Sequence, residues 1–419
     1  MTFTPSDVQA KAISGIKRWF SSAKSGRGAS AYRVFGYAGT GKTTIVETTI
    51  QELGLKGKTA FAAFTGKAAM VMTRKGTPAQ TIHSLIYKMD PEVMDYIARL
   101  EMDLETARMK RAPTDAIEDK LREAISAPKF ILKDSDDESL SRISLIVIDE
   151  VSMVDEKMAT DLLSFRIPIL VLGDPGQLPP TDGEGYFTQS APDVMLTEVH
   201  RQASESAIHR LAMIARSGKF IPYGQHDEFV YKMKHGSLSP QQMSRSGAVI
   251  CAYNKTRRYL NNNIRFSLGF TERYPTGNGE RLVTVKNIKD IGIINGMYVG
   301  LSGVKETKKG GMMATVVSDI GDVIGGVTEK GTPSVFPIYK GHFDDHICFE
   351  ADRNYRDFRI KQSHVQCDWG YAITAHKSQG SQYENVIVID EKFGKSRDDY
   401  QRWLYTAITR AERGLVILG

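Results

Sequence analysis

The strongest constraint on what this chain can fold into is the stretch Gly36-Tyr37-Ala38-Gly39-Thr40-Gly41-Lys42-Thr43, which fits G-x-x-x-x-G-K-[ST]. It lies between a run that reads as a strand, Ala31–Phe35, and one that reads as a helix, Thr43–Leu53. Gly39 and Gly41 let successive backbone N–H groups curl around a phosphate, and the helix N-terminus adds partial positive charge. Lys42 is placed to reach the β- and γ-phosphates and the Thr43 hydroxyl to ligate Mg²⁺, with Thr40 and Thr44 completing the nucleotide-binding set. A second motif follows. Ile146-Val147-Ile148-Asp149-Glu150 ends a buried apolar run in two carboxylates. A carboxylate there is costly unless it meets a cation, so Asp149 reads as the Mg²⁺ partner and Glu150 as the group that orients or deprotonates the attacking water. The two motifs together indicate a Mg-nucleoside-triphosphate hydrolase.

Alternating strand and helix signals surround these motifs. Thr59–Ala63, Leu145–Ile148 and Ile169–Leu172 are short apolar runs of the kind buried on both faces of a parallel sheet. From Ala248 the pattern recurs, with strands predicted at Ala248–Ala252, Val386–Ile389 and Leu415–Leu418 and a helix at Lys255–Arg265. Two segments break the alternation. Between Asp90 and Arg142 there are 14 acidic and 9 basic residues, a local −5 in a chain of net +6, so the remainder carries +11. Here Val93, Ile97, Leu100, Leu104 and Ala107 mark one helix face, and Ile117, Leu121 and Ile125 a second after Pro113, with Pro128 closing it. This reads as an inserted helical hairpin, the alternative being a solvated charged linker. From Gly292 to Ser363 the chain is rich in Gly, Val and Thr with closely spaced turn signals, as in a small antiparallel barrel.

Composition narrows the setting. The chain has 419 residues, enough for more than one domain, and no apolar run approaches the ~18 residues of a membrane span. Cys251, Cys348 and Cys367 form no CxxC pair, which excludes a disulfide framework or zinc knuckle and favours a reducing cytoplasm.

The remaining motifs carry a resemblance. Pro5–Gln9, the phosphate loop, Phe64-Thr65-Gly66-Lys67-Ala68-Ala69, Thr81-Ile82-His83-Ser84, Asp149-Glu150-Val151-Ser152-Met153, Gly173-Asp174-Pro175-Gly176-Gln177-Leu178-Pro179-Pro180, Leu196–Gln202, Tyr371–Gly380 and Tyr405–Arg410 occur in one order along nearly the whole chain. In this the chain resembles the superfamily 1 helicases of the 5′-to-3′ class, which includes RecD-like enzymes and the compact phage helicase Dda. The resemblance implies two RecA-like parallel-sheet domains, 1–88 with 142–192 and 193–291 with 364–419. It places a wedge-like subdomain at 89–141, here longer, helical and acidic, and an SH3-like β-barrel at 292–363. It implies that Gln9 reads adenine, making the nucleotide ATP, that Gln177 senses the γ-phosphate, that Arg201 and Arg410 are arginine fingers, and that Glu384 contacts the ribose. It also implies single-stranded DNA contacts from Thr65, Lys67, His83 and Ser84 on loops of the first domain and from Asn254, Thr374, His376 and Lys377 on loops of the second. Phe64 stands where the family usually has proline, and either stacks on a base or packs into the core. His83 and His376 have no metal-ligand spacing, which favours nucleic-acid contact over zinc.

The expected activity is ATP-dependent unwinding with 5′-to-3′ movement on single-stranded DNA, in replication, recombination or repair. Single-stranded and forked DNA are the expected partners, and a single-stranded-DNA-binding or replisome protein is a further one. The expected form is a functional monomer in the cytoplasm, that of a host if the chain is phage-encoded. The alternatives are a translocase that strips proteins without processive unwinding, a viral-type RNA helicase, and a binding module with an inactive nucleotide site.

Overall fold

Four successive buried apolar residues leave a strand no wet face, and Leu145–Ile148 and Ile169–Leu172 are each fully enclosed. They lie side by side at the centre of a six-stranded sheet. Its order is Ala79–Thr81, Thr59–Ala63, Leu145–Asp149, Ile169–Gly173, Ala31–Gly36, Val194–Leu196, and every pairing is parallel. The helices Asp7–Lys24 and Lys42–Glu52 cover one face, packing Ile16, Phe20, Ile45 and Ile50 against Val34, Val147 and Leu170. Ser6 starts the first of them with a capping box closed by Gln9. The computed structural model describes residues 5–127, 129–179, 185–198, 206–308, 310–318, 322–327, 332–344 and 354–419.

A second sheet repeats the plan. Its order is Ala372–Thr374, Ala248–Cys251, Tyr383–Ile389, Ala411–Leu418, Val230–Met233, Gly224–Asp227, parallel throughout except for the last, antiparallel pair. Helix Asn254–Ser267 buries Leu260 and Ile264 on it, and helix Arg397–Ile408 buries Trp403, Leu404 and Tyr405. Both sheets belong to one compact unit, residues 1–86, 134–268 and 371–419.

The other unit, 87–133 and 269–370, holds both insertions. Its helices Pro91–Met109 and Asp115–Ser126 form the hairpin that the apolar spacing predicts, with Ile97, Leu100, Leu104 and Leu121 at their interface and Tyr355 packed beside them. A two-stranded ladder, Tyr87–Met89 with Phe130–Leu132, closes its base. The five-stranded antiparallel sheet of this unit is wider than the Gly-, Val- and Thr-rich stretch. Leu282–Thr284 and Cys367–Trp369 pair with it from beyond either end. Among the described residues no helix is long and apolar enough to cross a membrane.

Candidate nucleotide site and nucleic-acid face

The strand Ala31–Gly36 delivers the chain into a loop shaped by two left-handed glycines, Gly39 at φ +80° and Gly41 at φ +79°. Thr40 is fully buried beneath it, its hydroxyl donating to the Tyr37 carbonyl at 2.9 Å. Lys42 Nζ donates to the carbonyls of Gly36 (2.6 Å) and Tyr37 (3.1 Å). Gln9 lies behind the loop, 4% exposed. Its Nε2 donates to the Thr40 carbonyl at 3.3 Å and its Oε1 accepts from the Ser6 N–H at 3.0 Å.

In front of the loop is a cleft of about 250 Å³. Gly39, Lys42, Thr43, Asp149, Glu150 and Gln177 line it from the first sheet, and Gly380, Ser381, Thr409 and Arg410 from the second. The carboxyls of Asp149 and Glu150 open onto this space, yet desolvation by the surrounding walls raises both above the ordinary carboxylate range. Lys42 acts against this at Asp149; at Glu150 the main opposing influence is the Arg410 guanidinium, while Asp149 and Asp174 push it further up. Glu150 is one of the few non-glycine residues with left-handed backbone, at φ +53°, a conformation that costs roughly 1–2 kcal/mol. Its N–H donates to Asp149 Oδ1 at 2.8 Å, which holds the bend.

The opposite wall is tied on by side chains. Tyr405, fully buried, donates its hydroxyl to Asp174 Oδ2 at 2.6 Å and accepts the Ala38 N–H at 3.1 Å. The Leu178 N–H donates to Thr406 Oγ1 at 2.9 Å, and Gln379 Nε2 donates to the Leu178 carbonyl at 2.9 Å. Arg410 is 4% exposed and held by the Thr406 carbonyl (3.0 Å), the Ser381 carbonyl (3.3 Å) and Thr409 Oγ1 (3.2 Å). Gln177 is buried, and its Oε1 has no hydrogen-bond partner among the described residues. Arg201 lies outside the described residues, as do Pro128 and Pro180.

Of the residues expected on nucleic-acid-binding loops, Thr65 lies on one, Thr374 ends a strand and the others belong to helices. Thr65 caps the helix Gly66–Arg74, its hydroxyl accepting the Ala68 N–H at 3.1 Å, and Lys67 lies within that helix with its Nζ over the Tyr383 ring, 4.8 Å from the centroid. His83 and Ser84 belong to the short helix Ile82–Ile86, where Thr81 bonds Ser84. Asn254 opens the helix Asn254–Ser267, and Thr374 caps Ala375–Ser378, which carries His376 and Lys377. Phe64 is half-buried. Beside His376 an aromatic set gathers: Phe393 lies 5.6 Å from the His376 ring and 5.9 Å from Tyr253, and Tyr253 is 45% exposed.

Comparison with known proteins gives these features a lineage. The profile of the AAA domain family matches residues 22–232, just over half of the chain. The chain belongs to the AAA domain family. This AAA-domain chain also matches the UvrD-like helicase C-terminal domain over residues 370–418. It is 39% identical over 75 residues to the ATP-dependent RecD2 DNA helicase of Deinococcus radiodurans, covering 16% of this chain and 10% of that protein. It is 49% identical over 53 residues to an uncharacterized protein of Methanocaldococcus jannaschii, covering 13% of this chain and 4% of that protein. The matched stretches thus span a small part of either relative. A structure of two coordinating Pif1 helicases at forked double-stranded DNA aligns with TM-score 0.54 at 18% identity, over 100% of this chain and 92% of that one. Bacteroides Pif1 bound to single-stranded DNA aligns with TM-score 0.53 at 18% identity, over 99% and 92%. At such identity the likeness speaks for the fold, two RecA-like α/β domains in one AAA-domain chain.

Several residues of this AAA-domain site were not singled out by sequence. Glu47, Lys75 and Gln382 share the cleft, with Thr77 donating to Glu47 Oε1 at 2.8 Å and Lys75 Nζ donating to Gln382 Oε1 at 3.0 Å. Asp174 and Tyr405 stood inside quoted motifs, but their pairing joins positions 231 residues apart, which no local spacing reveals. Gln9, Thr40, Gly41, Thr44 and Glu384 do not line the cleft. Glu384 lies exposed and ion-paired with Arg413 at 3.4 Å, a surface contact of small energetic weight.

Proposed function

We propose that this chain is an ATP-driven DNA helicase that moves 5′ to 3′ on single-stranded DNA and couples Mg-ATP hydrolysis to duplex unwinding. The observation that carries the reading is the single cleft in which Lys42 and the carboxylates of one sheet face Arg410 of the other. Lys42 binds the β- and γ-phosphates, Glu150 takes the proton of the attacking water on its carboxylate, and Gln177 reports the γ-phosphate. Arg410 stabilises charge on the transferred phosphoryl, with Arg201 as its partner. Gln9 and Glu384 belong to this scheme as adenine and ribose contacts.

The residues present fit Mg²⁺. A desolvated carboxylate at Asp149 and the Thr43 hydroxyl offer oxygen donors at the cleft. Among the described residues there is no cluster of three or more His, Cys, Asp or Glu that would cage a metal. That donor set suits an ion that keeps water and phosphate oxygens in its shell. Thr43 and Asp149 would hold it, and when bound it neutralises phosphate charge.

The division into lobes at 1–88 with 142–192 and 193–291 with 364–419, with insertions at 89–141 and 292–363, belongs to the same proposal. A nucleotide that contacts both lobes draws them together and lets them part on hydrolysis. DNA is gripped by Phe64, Thr65, Lys67, His83 and Ser84 on one lobe and by Asn254, Thr374, His376 and Lys377 on the other. Phe393 and Tyr253 add stacking faces worth about 1–3 kcal/mol per base. The test is ATP-driven unwinding of forked DNA carrying one single-stranded tail at a time. Separation of the duplex with a 5′ tail and little with a 3′ tail is expected. ATP turnover that ignores DNA would sink the motor reading, and unwinding from a 3′ tail would sink the polarity.

A further inference from the structure

Tyr405 is assigned no chemistry in the proposed reaction, yet it joins the phosphate loop, the turn that carries Gln177 and the helix that leads to Arg410. It sits on the helix Arg397–Ile408 of the second sheet, with no exposed surface. Its hydroxyl donates to Asp174 Oδ2 (2.6 Å) and accepts the Ala38 N–H (3.1 Å), so one oxygen bridges the second sheet, the turn after strand Ile169–Gly173 and the phosphate loop itself. Asp174 Oδ1 accepts the Gly176 N–H at 2.9 Å, which sets the turn that carries Gln177 next in sequence. The Tyr405 ring presses on that turn: a Cβ on Gly176 would stand 2.9 Å from its Cε1. Next to Tyr405 in sequence, Thr406 holds Arg410 through its carbonyl. Burial and the Asp174 carboxylate raise the phenol far above its ordinary range, so the bridging proton stays on the tyrosine.

We propose that Tyr405 is a positioning residue that locks the phosphate loop, Gln177 and Arg410 into one arrangement when the lobes close, a role that rests on the motor reading above. Parting the lobes breaks both hydrogen bonds at once and strips the Ala38 N–H and the buried Asp174 oxygen of their partners. A buried donor and carboxylate left unpaired make a half-open state unfavourable. The arrangement is therefore closer to two-state than to graded, and the chemistry is confined to the closed state.

Tyr405→Phe keeps the ring and deletes the bridge. The purified full chain is compared with this variant for ATP turnover with and without single-stranded DNA, for affinity for a fluorescent ADP analogue, and for thermal midpoint. The expected result is a fall of about tenfold in kcat with ADP affinity within twofold of the parent, the size of one lost charge-assisted hydrogen bond felt at the reacting geometry. A folded variant with kcat within twofold of the parent overturns the proposal. So does one in which kcat and ADP affinity fall together, the mark of a merely structural contact. Should Tyr405→Phe not fold, Asp174→Asn, which weakens the bridge from the other side, is held to the same two criteria. Failure of the parent to respond to DNA counts against the motor reading alone, because the ratio of variant to parent kcat without DNA still decides the role of Tyr405.

Discussion

Glu150 combines a left-handed backbone, a desolvated carboxyl and two neighbouring acids, and each of these works against stability. Its folded pKa is raised, so the folded protein holds the proton more tightly than the unfolded chain does. Stability is therefore greatest below the unfolded carboxylate range and is lost as pH rises through the folded value. Glu150→Gln removes the ionisation while keeping the shape. We expect it to raise the melting temperature by a few degrees at pH 8, equivalent to about 1–3 kcal/mol. The gain should disappear near pH 4, and turnover should fall by orders of magnitude throughout. Thermal scans at the two pH values check this, and a variant no more stable than the parent at pH 8 would contradict the desolvation argument. At this scale the sequence was legible wherever a residue's place is set by its near neighbours. Lys42, Thr43, Asp149 and Glu150 sit at fixed offsets from a strand end, and the structure brings all four to the cleft. Gln9 was legible only through the resemblance, and in the structure both ends of its amide are engaged by the helix and the loop. Asp174 and Tyr405 were not legible as partners, because nothing local marks a contact across two lobes.

Elements were read most surely where periodicity ran long. The 4-3-4-3 apolar spacing from Val93 to Ala107 corresponds to the helix Pro91–Met109, and the parallel strands fall within a residue or a few of their apolar runs. Three-residue strands such as Tyr87–Met89 and Phe130–Leu132 escaped, since so short a run has no period to detect. Thr65 lies on a loop as expected, whereas the loop assignments at His83 and His376 failed for a related reason: helices of four or five residues are held by their caps and surroundings, not by a stripe. The hairpin has a small core of its own, and Leu121 is its most enclosed side chain. Leu121→Ala should cost about 2–5 kcal/mol within that unit. The expected outcome is protease cleavage within 87–133 at temperatures the parent withstands, with DNA-independent ATP turnover kept near the parent rate and strand separation reduced. Equal protease resistance in the two proteins would show that the hairpin draws its order from elsewhere.

For the molecule as a whole, the acidic hairpin segment lies in one unit and the phosphate loop in the other, with both parallel sheets sharing the latter. The sequence implied two lobes through its repeated strand–helix pattern, but the extent to which their facing walls interlock came only from the structure. Gly380 is one place where that interlock is tight: at φ +69°, a Cβ there would stand 2.9 Å from Ala68 Cβ and 3.0 Å from Thr65 Oγ1. Gly380→Ala should therefore cost about 1–2 kcal/mol from the left-handed backbone alone, with the contact against Ala68 relieved only when the facing walls move apart. It should lower DNA-stimulated turnover at least tenfold, with ADP affinity little changed. Parallel melting and turnover measurements check this, and undiminished turnover would show that the lobes tolerate a spacer. On the motor reading, a single methyl group there would act as a doorstop between the two walls. A chain carrying it would be held short of the cleft in which Lys42 faces Arg410.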